Sequence, residues 1–210
     1  MKLYMVPLAP NPVKVMLYMA EREALGAVLP IEKIIVNTLK GKHKTPEHLA
    51  RNPFGSLPVL EIDEGQYICE SRAIIDYLED AFRDHPLFSA DLKKRARQRD
   101  MERICDVRLA EYLGSWVHAY KSPIGLPPNA AQARDLEERM QPALNFLNDV
   151  LADGREFVCG DAASPADCTL QAFLNFMRFT GKNLITEYEH ITRWDTVYRA
   201  RDIVAPVITI

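Results

Sequence analysis

Over the first 80 residues the apolar positions switch repeatedly between two periods. Lys2-Leu3-Tyr4-Met5-Val6 is a short apolar strand; from Val13 to Glu23 the apolar residues Val13, Met16, Leu17 and Ala20 return at helical spacing. Ile31 to Val36 is β-branched and predicts a second strand, completing a βαβ unit with a right-handed crossover. Thr45-Pro46-Glu47 starts a helix, with Thr as N-cap, Pro in the first helical position and Glu in the first turn. The stretch "LPVLEIDEGQYICES" predicts a hairpin: Val59 to Ile62 outward, an Asp63-Glu64-Gly65 turn, and Gln66 to Cys69 returning. From Ser71 through Tyr77 and beyond the helical period resumes, with Ala73, Ile74, Tyr77 and Leu78 on one face. The order βαβ-α-ββα suits a small mixed sheet covered by helices.

After the turn-rich "FRDHPLFSAD" no strand of any length is predicted. Helices are expected from Asp91 to about Tyr120, from about Ala130 to Leu151, from Ser164 to Thr180, and near Tyr188 to Arg199. "SPAD" at 164–167 has the form of a capping box: Ser164 as N-cap, Pro165 at the first helical position, Asp167 at the third. The expected architecture is an α/β domain over 1–80, a linker over 81–90 and an all-helical domain over 91–210.

Composition narrows the function classes. Hydrophobic residues at 48% and charged residues at 26% of 210 are ordinary globular values. A net charge of -3 leaves no surplus of positive charge for nucleic acid or an acidic membrane. Cys69, Cys105, Cys159 and Cys168 form neither a C-x-x-C pair nor a metal-ligand spacing, and read as reduced, mostly buried small hydrophobes; no metal is expected. Pro7, Pro10 and Pro12 interrupt the N-terminal apolar run, so a secretory leader is not expected, and no run nears the ~18 apolar residues of a membrane span. A cytoplasmic location follows as the expectation.

Three stretches carry candidate chemistry. In "NPFGSLPVLE" Pro58 opens a strand, either as an ordinary trans proline or through a cis Leu57–Pro58 bond that would turn the backbone of Leu57 toward an extended peptide ligand. In "ESRAIIDYLED" the hairpin enters a helix at Glu70-Ser71. Ser71 there is a plain N-cap or, with the backbone N–H of Arg72, an anion site for a carboxylate, beside which Glu70 would take an ammonium. In "LAPNPVKV" Pro12 biases Asn11 toward the extended conformation of an N-cap; its amide oxygen would then cap the helix and leave its NH2 free.

In this order and spacing the three stretches resemble the glutathione transferase superfamily, and theta-, beta- and nu-like bacterial members in particular. "NPFGSLPVLEIDEGQYICESRAIIDYLEDAF" is similar to the family's glutathione-site signature, "FVCGDAASPADCTL" to the capping motif of its buried helix, and "GKHKTPEHLARNP" to its second-helix region. The resemblance implies a thioredoxin-like N-terminal domain, an all-helical C-terminal domain and a homodimer. It also implies that Glu70, Ser71 and Arg72 hold the γ-glutamyl end of glutathione, that Leu57 before Pro58 pairs with its cysteinyl backbone, and that His43 and Lys44 meet its glycyl carboxylate.

The catalytic Ser, Tyr or Cys of most classes is missing: the theta-like serine position falls on Pro10, no Cys precedes Cys69, and Tyr4 comes one residue early, on the other face of a strand. "APNPVKV" resembles instead the "T-P-N-G-x-K" start of nu-class-like members, whose asparagine contacts the glutathione sulfur; Ala9 stands where those carry Thr. A free thiol ionises near ~8.5, and a hydrogen bond to a charged group contributes about 1.5–3 kcal/mol, so Asn11 would lower the thiol pKa by one to two units. The helix terminus adds about 0.3–1 kcal/mol. The expected function is conjugation of the glutathione thiolate to a hydrophobic electrophile, with glutathione-dependent disulfide reduction and a non-catalytic interaction module as rivals. Arg108, Tyr112 and Trp116, at one-turn spacings, are pocket wall or core and are left out of the site. Asp100, Glu102 and Asp106 are equivalent candidates to reach a γ-glutamyl amine across a dimer.

Overall fold

The computed structural model describes residues 1–208. Strand β1 (Lys2–Met5) lies inside a four-stranded sheet of order β2-β1-β3-β4, parallel to β2 (Glu32–Ile35) and antiparallel to β3 (Val59–Asp63), which pairs antiparallel with β4 (Gln66–Ile68). Alternation along β1 sends Leu3 and Met5 into the main core and Tyr4 to the opposite face. There the Tyr4 hydroxyl donates to Glu61 (2.7 Å), and the Arg51 guanidinium sits 4.3 Å from its ring. The hairpin turn is one residue shorter than expected. Asp63 still pairs with Gln66, after a register shift, and Gly65 supplies the positive φ of 76°.

Helix α1 (Pro10–Ala24) begins three residues before the apolar period does. It is buried on almost every side, because it is packed between α3 (Ser71–Ala81) and α7 (Pro165–Arg178). The expected stripe is therefore incomplete: Met16 and Ala20 are half-buried, whereas Val15, Tyr18 and Met19 belong to the core. Its charged residues Lys14, Glu21 and Arg22 are buried with partners. Glu21 accepts from the Tyr198 hydroxyl (2.7 Å) and pairs with Arg201, tying α1 to the chain around α8 (Glu189–Arg199). Arg22 donates to the carbonyls of Phe82 (2.6 Å) and Asp84 (2.8 Å), and Glu79 accepts from the N–H groups of Leu87 (3.0 Å) and Phe88 (3.3 Å). The segment expected as a linker is thus pinned along its length. On α3, Ile74 and Leu78 are buried as expected, but Ile75 replaces Ala73, which is exposed.

A 3₁₀ turn (Lys42–Lys44), invisible to periodicity, precedes α2 (Pro46–Arg51), which Thr45 caps through His48 N–H (3.4 Å). The single helix expected from Asp91 to Tyr120 is three pieces: α4 (Leu92–Ile104), a π-helical turn (Cys105–Ala110) and α5 (Glu111–Lys121). The wider turn accommodates an extra residue. It buries Cys105, Leu109 and Ala110 while Asp106 is held by Lys14 of α1 (2.7 Å). Helix α6 (Ala130–Val150) completes the helical layer. Before α7 the capping box forms as expected: Asp167 accepts from the N–H (2.9 Å) and hydroxyl (2.8 Å) of Ser164, and also from Val158 N–H (2.8 Å) and Trp194 Nε1–H (3.2 Å). Complete burial pushes its carboxyl up to about 6, against the pull of those donors. All four cysteines are free; Cys105 and Cys168 are buried, Cys69 and Cys159 half-buried. No helix among the described residues is long and apolar enough to cross a membrane.

Candidate functional site

Two cavities adjoin where the sheet half meets the helical half. The smaller, about 490 Å³, is polar: the start of α3 (Glu70, Ser71, Arg72, Asp76) faces Arg103 and Asp106 across it. Two of these acids are already engaged. Asp76 pairs with Arg72 (2.8 Å), and Asp106 with Lys14 (2.7 Å) and Arg103 (2.8 Å). Glu70 is exposed and ion-paired with nothing among the described residues. Arg72 also pairs with Glu102 (3.2 Å), which lies beneath the cavity, fully buried, and accepts from Thr169 (3.1 Å). Burial raises the Glu102 carboxyl despite the nearby Lys14 and Arg72. A fully buried carboxylate cannot reach a partner subunit, so Glu102 leaves the set of candidates for that role; Asp100 is exposed and pairs with Arg97 (3.4 Å).

The larger cavity, about 750 Å³, is mostly apolar. Leu8, Ile35, Leu39 and Ile124 form an exposed apolar rim, and Phe173, Phe176 and Phe179 of α7 form the inner wall. The α5 side is Glu111, Gly114, Ser115 and His118. A Cβ on Gly114 would stand 3.3 Å from the Phe173 ring, so glycine lets that ring sit close to α5. Trp116 is core, with no exposure, and donates to Glu137 (2.8 Å); Tyr112 is half-buried against the same core, and Arg108 is exposed and lines neither cavity.

Asn11, Glu111 and Phe173 line both cavities and form the neck between them. Asn11 is not the N-cap. Ala9 holds that position in extended conformation, Pro10 is the first helical residue and Asn11 the second. A proline is as well suited to either of the first helical positions, so Pro10 rather than Pro12 opens the helix. The amide oxygen of Asn11 instead accepts from the Ser71 hydroxyl (3.2 Å), across from α1 to α3. Pro10 and Pro12 have no N–H, and Val13 N–H is spent on the Ala9 carbonyl (3.1 Å). The first turn therefore offers two donor groups, the backbone N–H and the side-chain NH2 of Asn11.

The remaining expected residues scatter. His43 lines the larger cavity, its imidazole pKa lowered by burial and by Lys44 and His48. Lys44 lines neither cavity, and its ammonium donates to the Phe54 carbonyl (3.3 Å). The Leu57–Pro58 bond is cis; Leu57 packs with Tyr4, Val36 and Val59 on the far face of the sheet, and neither residue lines a cavity. Glu111, Phe173 and His118 line the cavities and lie outside the expected site. The Phe spacing of "FLNFMRF" is the available signal; nothing local marks Glu111 or His118.

A thioredoxin-like sheet domain is joined here to a helical one, with a polar and an apolar cavity meeting at Asn11, Glu111 and Phe173. A glutathione S-transferase N-terminal domain matches residues 10–81, and a glutathione S-transferase C-terminal domain matches residues 129–194. The crystal structure of a glutathione S-transferase domain-containing protein from Marinobacter aquaeolei VT8 superposes with a TM-score of 0.84 at 30% identity, over 97% of this chain and 100% of that one. Glutathione S-transferase 2 of Saccharomyces cerevisiae is 29% identical over 201 residues, 92% of this chain and 83% of that protein. Maleylacetoacetate isomerase of Pseudomonas aeruginosa is 39% identical over 83 residues, 38% of this chain and 39% of that protein. The chain belongs to the glutathione S-transferase family.

Proposed function

We propose that this family member conjugates the thiolate of glutathione to a hydrophobic electrophile, and that Asn11 stabilises the thiolate. The observation that carries the reading is the place of Asn11 at the neck of both cavities, with its oxygen occupied by Ser71 and its NH2 free. A thiolate at the neck would accept from that NH2 and from the Asn11 N–H at the positive end of α1. One such bond is worth about 1.5–3 kcal/mol, which corresponds to one or two pKa units. The thiolate attacks the electrophilic carbon, the carbon–sulfur bond forms, and the leaving group departs with its bonding pair.

Glutathione's γ-glutamyl end belongs in the smaller cavity. Unpaired Glu70 suits its ammonium, and the backbone N–H groups of Ser71 and Arg72 opening α3 suit its carboxylate, the Ser71 hydroxyl being given to Asn11. In this reading Leu57, before Pro58, pairs with the cysteinyl backbone, and Arg72, His43 and Lys44 complete the site. The electrophile occupies the α5 side of the larger cavity, between Gly114, Ser115 and the phenylalanines of α7, and the His43 side is left to the glycyl end of glutathione. Residues 1–80 form the glutathione-binding domain, 81–90 the connection and 91–210 the helical domain, in a cytosolic homodimer.

The test is a pH titration of the thiolate absorbance of enzyme-bound glutathione in the wild type and in Asn11→Ala. The expected result is a wild-type pKa near ~7 that rises by one to two units in the variant while glutathione still binds. Binding with the same unshifted pKa in both proteins would remove Asn11 from the chemistry and leave a glutathione-binding protein.

A further inference from the structure

The wall of the larger cavity carries charge at one point. Of its lining residues only His43, His118 and Glu111 are titratable, and no lysine or arginine is among them. Burial holds both imidazoles below their ordinary pKa, so both are neutral at pH 7. Glu111 remains, an exposed carboxylate at the first position of α5, with no cation paired to it among the described residues. It lies at the neck, shared with Asn11 and Phe173. Asp76 and Asp106, by contrast, are neutralised by Arg72, Lys14 and Arg103. An electrophile in the larger cavity must bring its reacting carbon to this neck.

We infer that Glu111 determines specificity in the proposed transfer: it excludes anionic electrophiles, so that the second substrate is an apolar molecule that is uncharged or cationic around its reacting carbon. The inference rests on the transfer reading above, with the larger cavity as the electrophile's place. A second carboxylate seated between the apolar walls would itself leave bulk water, so its repulsion by Glu111 would act through a lower effective dielectric than in solution. Attraction to a cation grows for the same reason. The apolar rim of Leu8, Ile35, Leu39 and Ile124 offers an anion no compensating partner.

The experiment uses a matched pair, para-chloro-meta-nitrobenzamide and para-chloro-meta-nitrobenzoate. They share one leaving group and nearly one shape, and differ by a charge. With each, the thiolate sulfur bonds to the ring carbon and chloride leaves with the electron pair. The measured quantity is the amide-to-benzoate ratio of kcat/KM, each corrected for its uncatalysed rate, in the wild type, Glu111→Gln and Glu111→Lys. The ratio should fall at least tenfold in Glu111→Gln and further in Glu111→Lys, and raised salt should compress it in the wild type alone. An unchanged ratio across the three proteins, with turnover intact, overturns this inference and leaves the transfer reading standing. A changed KM for glutathione with the ratio unchanged also overturns it, assigning Glu111 to the polar cavity. No turnover of either compound by the wild type sinks the transfer reading and this inference together.

Discussion

Among the described residues two acids, Asp167 and Glu102, have no exposure at all, and they are stabilised in opposite ways. Asp167, at the start of α7, faces four neutral donors: two backbone N–H groups, a serine hydroxyl and the Trp194 indole. Glu102, on α4, faces charge: Arg72 at 3.2 Å and Lys14 at 3.9 Å, with the Thr169 hydroxyl as its one neutral donor. Neutral dipoles from within the helical half hold the first; cations brought by α1 and α3 hold the second. Asp167 therefore secures one helix start within the helical half, whereas Glu102 joins the two halves directly beneath the polar cavity.

The largest effect should come from Asp167→Ala, which leaves four buried donors without an acceptor. A loss of roughly 4 kcal/mol is expected, which lowers Tm by about 10 °C in a chain of this size. Thermal denaturation measures it, and a fall under a third of that would mean water replaces the carboxylate. Glu102→Met should cost about 3 kcal/mol because two cations lose their counter-charge. Here the two acids part: Arg72→Met in the Glu102→Met background should cost about 2 kcal/mol less than the sum of the single changes. Strict additivity in that double-mutant cycle would show that Glu102 is held like Asp167, by neutral donors.

Next in size is the pH effect that Asp167 contributes, isolated by comparison with Asp167→Asn. Its folded pKa, about 6, lies above the ordinary 3.8, so the folded state takes up the proton first as pH falls. The contribution is fully present below the ordinary pKa and is lost as pH rises through about 6. Between pH 4 and 7 the wild type should lose up to about 3 kcal/mol relative to Asp167→Asn. Urea midpoints of both proteins across that range give the answer, and two parallel curves would place the folded pKa at its ordinary value. The smallest effect belongs to Ser164→Ala, about 1 kcal/mol, since one cap hydroxyl goes and three donors to Asp167 remain.

The same contrast explains what could be read from the chain. "SPAD" announced its capping box because every participant but Val158 and Trp194 lies within four residues. The junction of hairpin and helix at Glu70-Ser71 was legible for the same reason, but Glu70 holds the N-cap position, Ser71 is the first helical residue, and no side chain caps that helix. Glu102 was indistinguishable from Asp100 and Asp106, because its burial depends on α1 and α7, whose packing no local spacing encodes. Asn11 was placed at the right helix end but two positions off in role, since prolines at 10 and 12 fit either phase of the first turn. Tyr112 and Trp116 drew attention as aromatics, yet the cavity wall of α5 is Glu111, Gly114, Ser115 and His118. Which face of α5 meets the cavity is set by the π-helical turn, and the residues of that turn carry no signature of it.

That turn has a consequence for how such a molecule changes over generations. A π-helical turn takes up one extra residue within nearly the rotation of a regular turn, so losing one residue from Cys105–Ala110 would restore an α-helix and leave α5 facing as it does. Glu111, Gly114, Ser115 and His118 would keep the cavity wall as a set, and Asn11 and Ser71, anchored on α1 and α3, would stay put. A single-codon deletion in that turn is absorbed locally, whereas the same loss inside α5, where each residue turns the helix by about 100°, would rotate every wall residue beyond it.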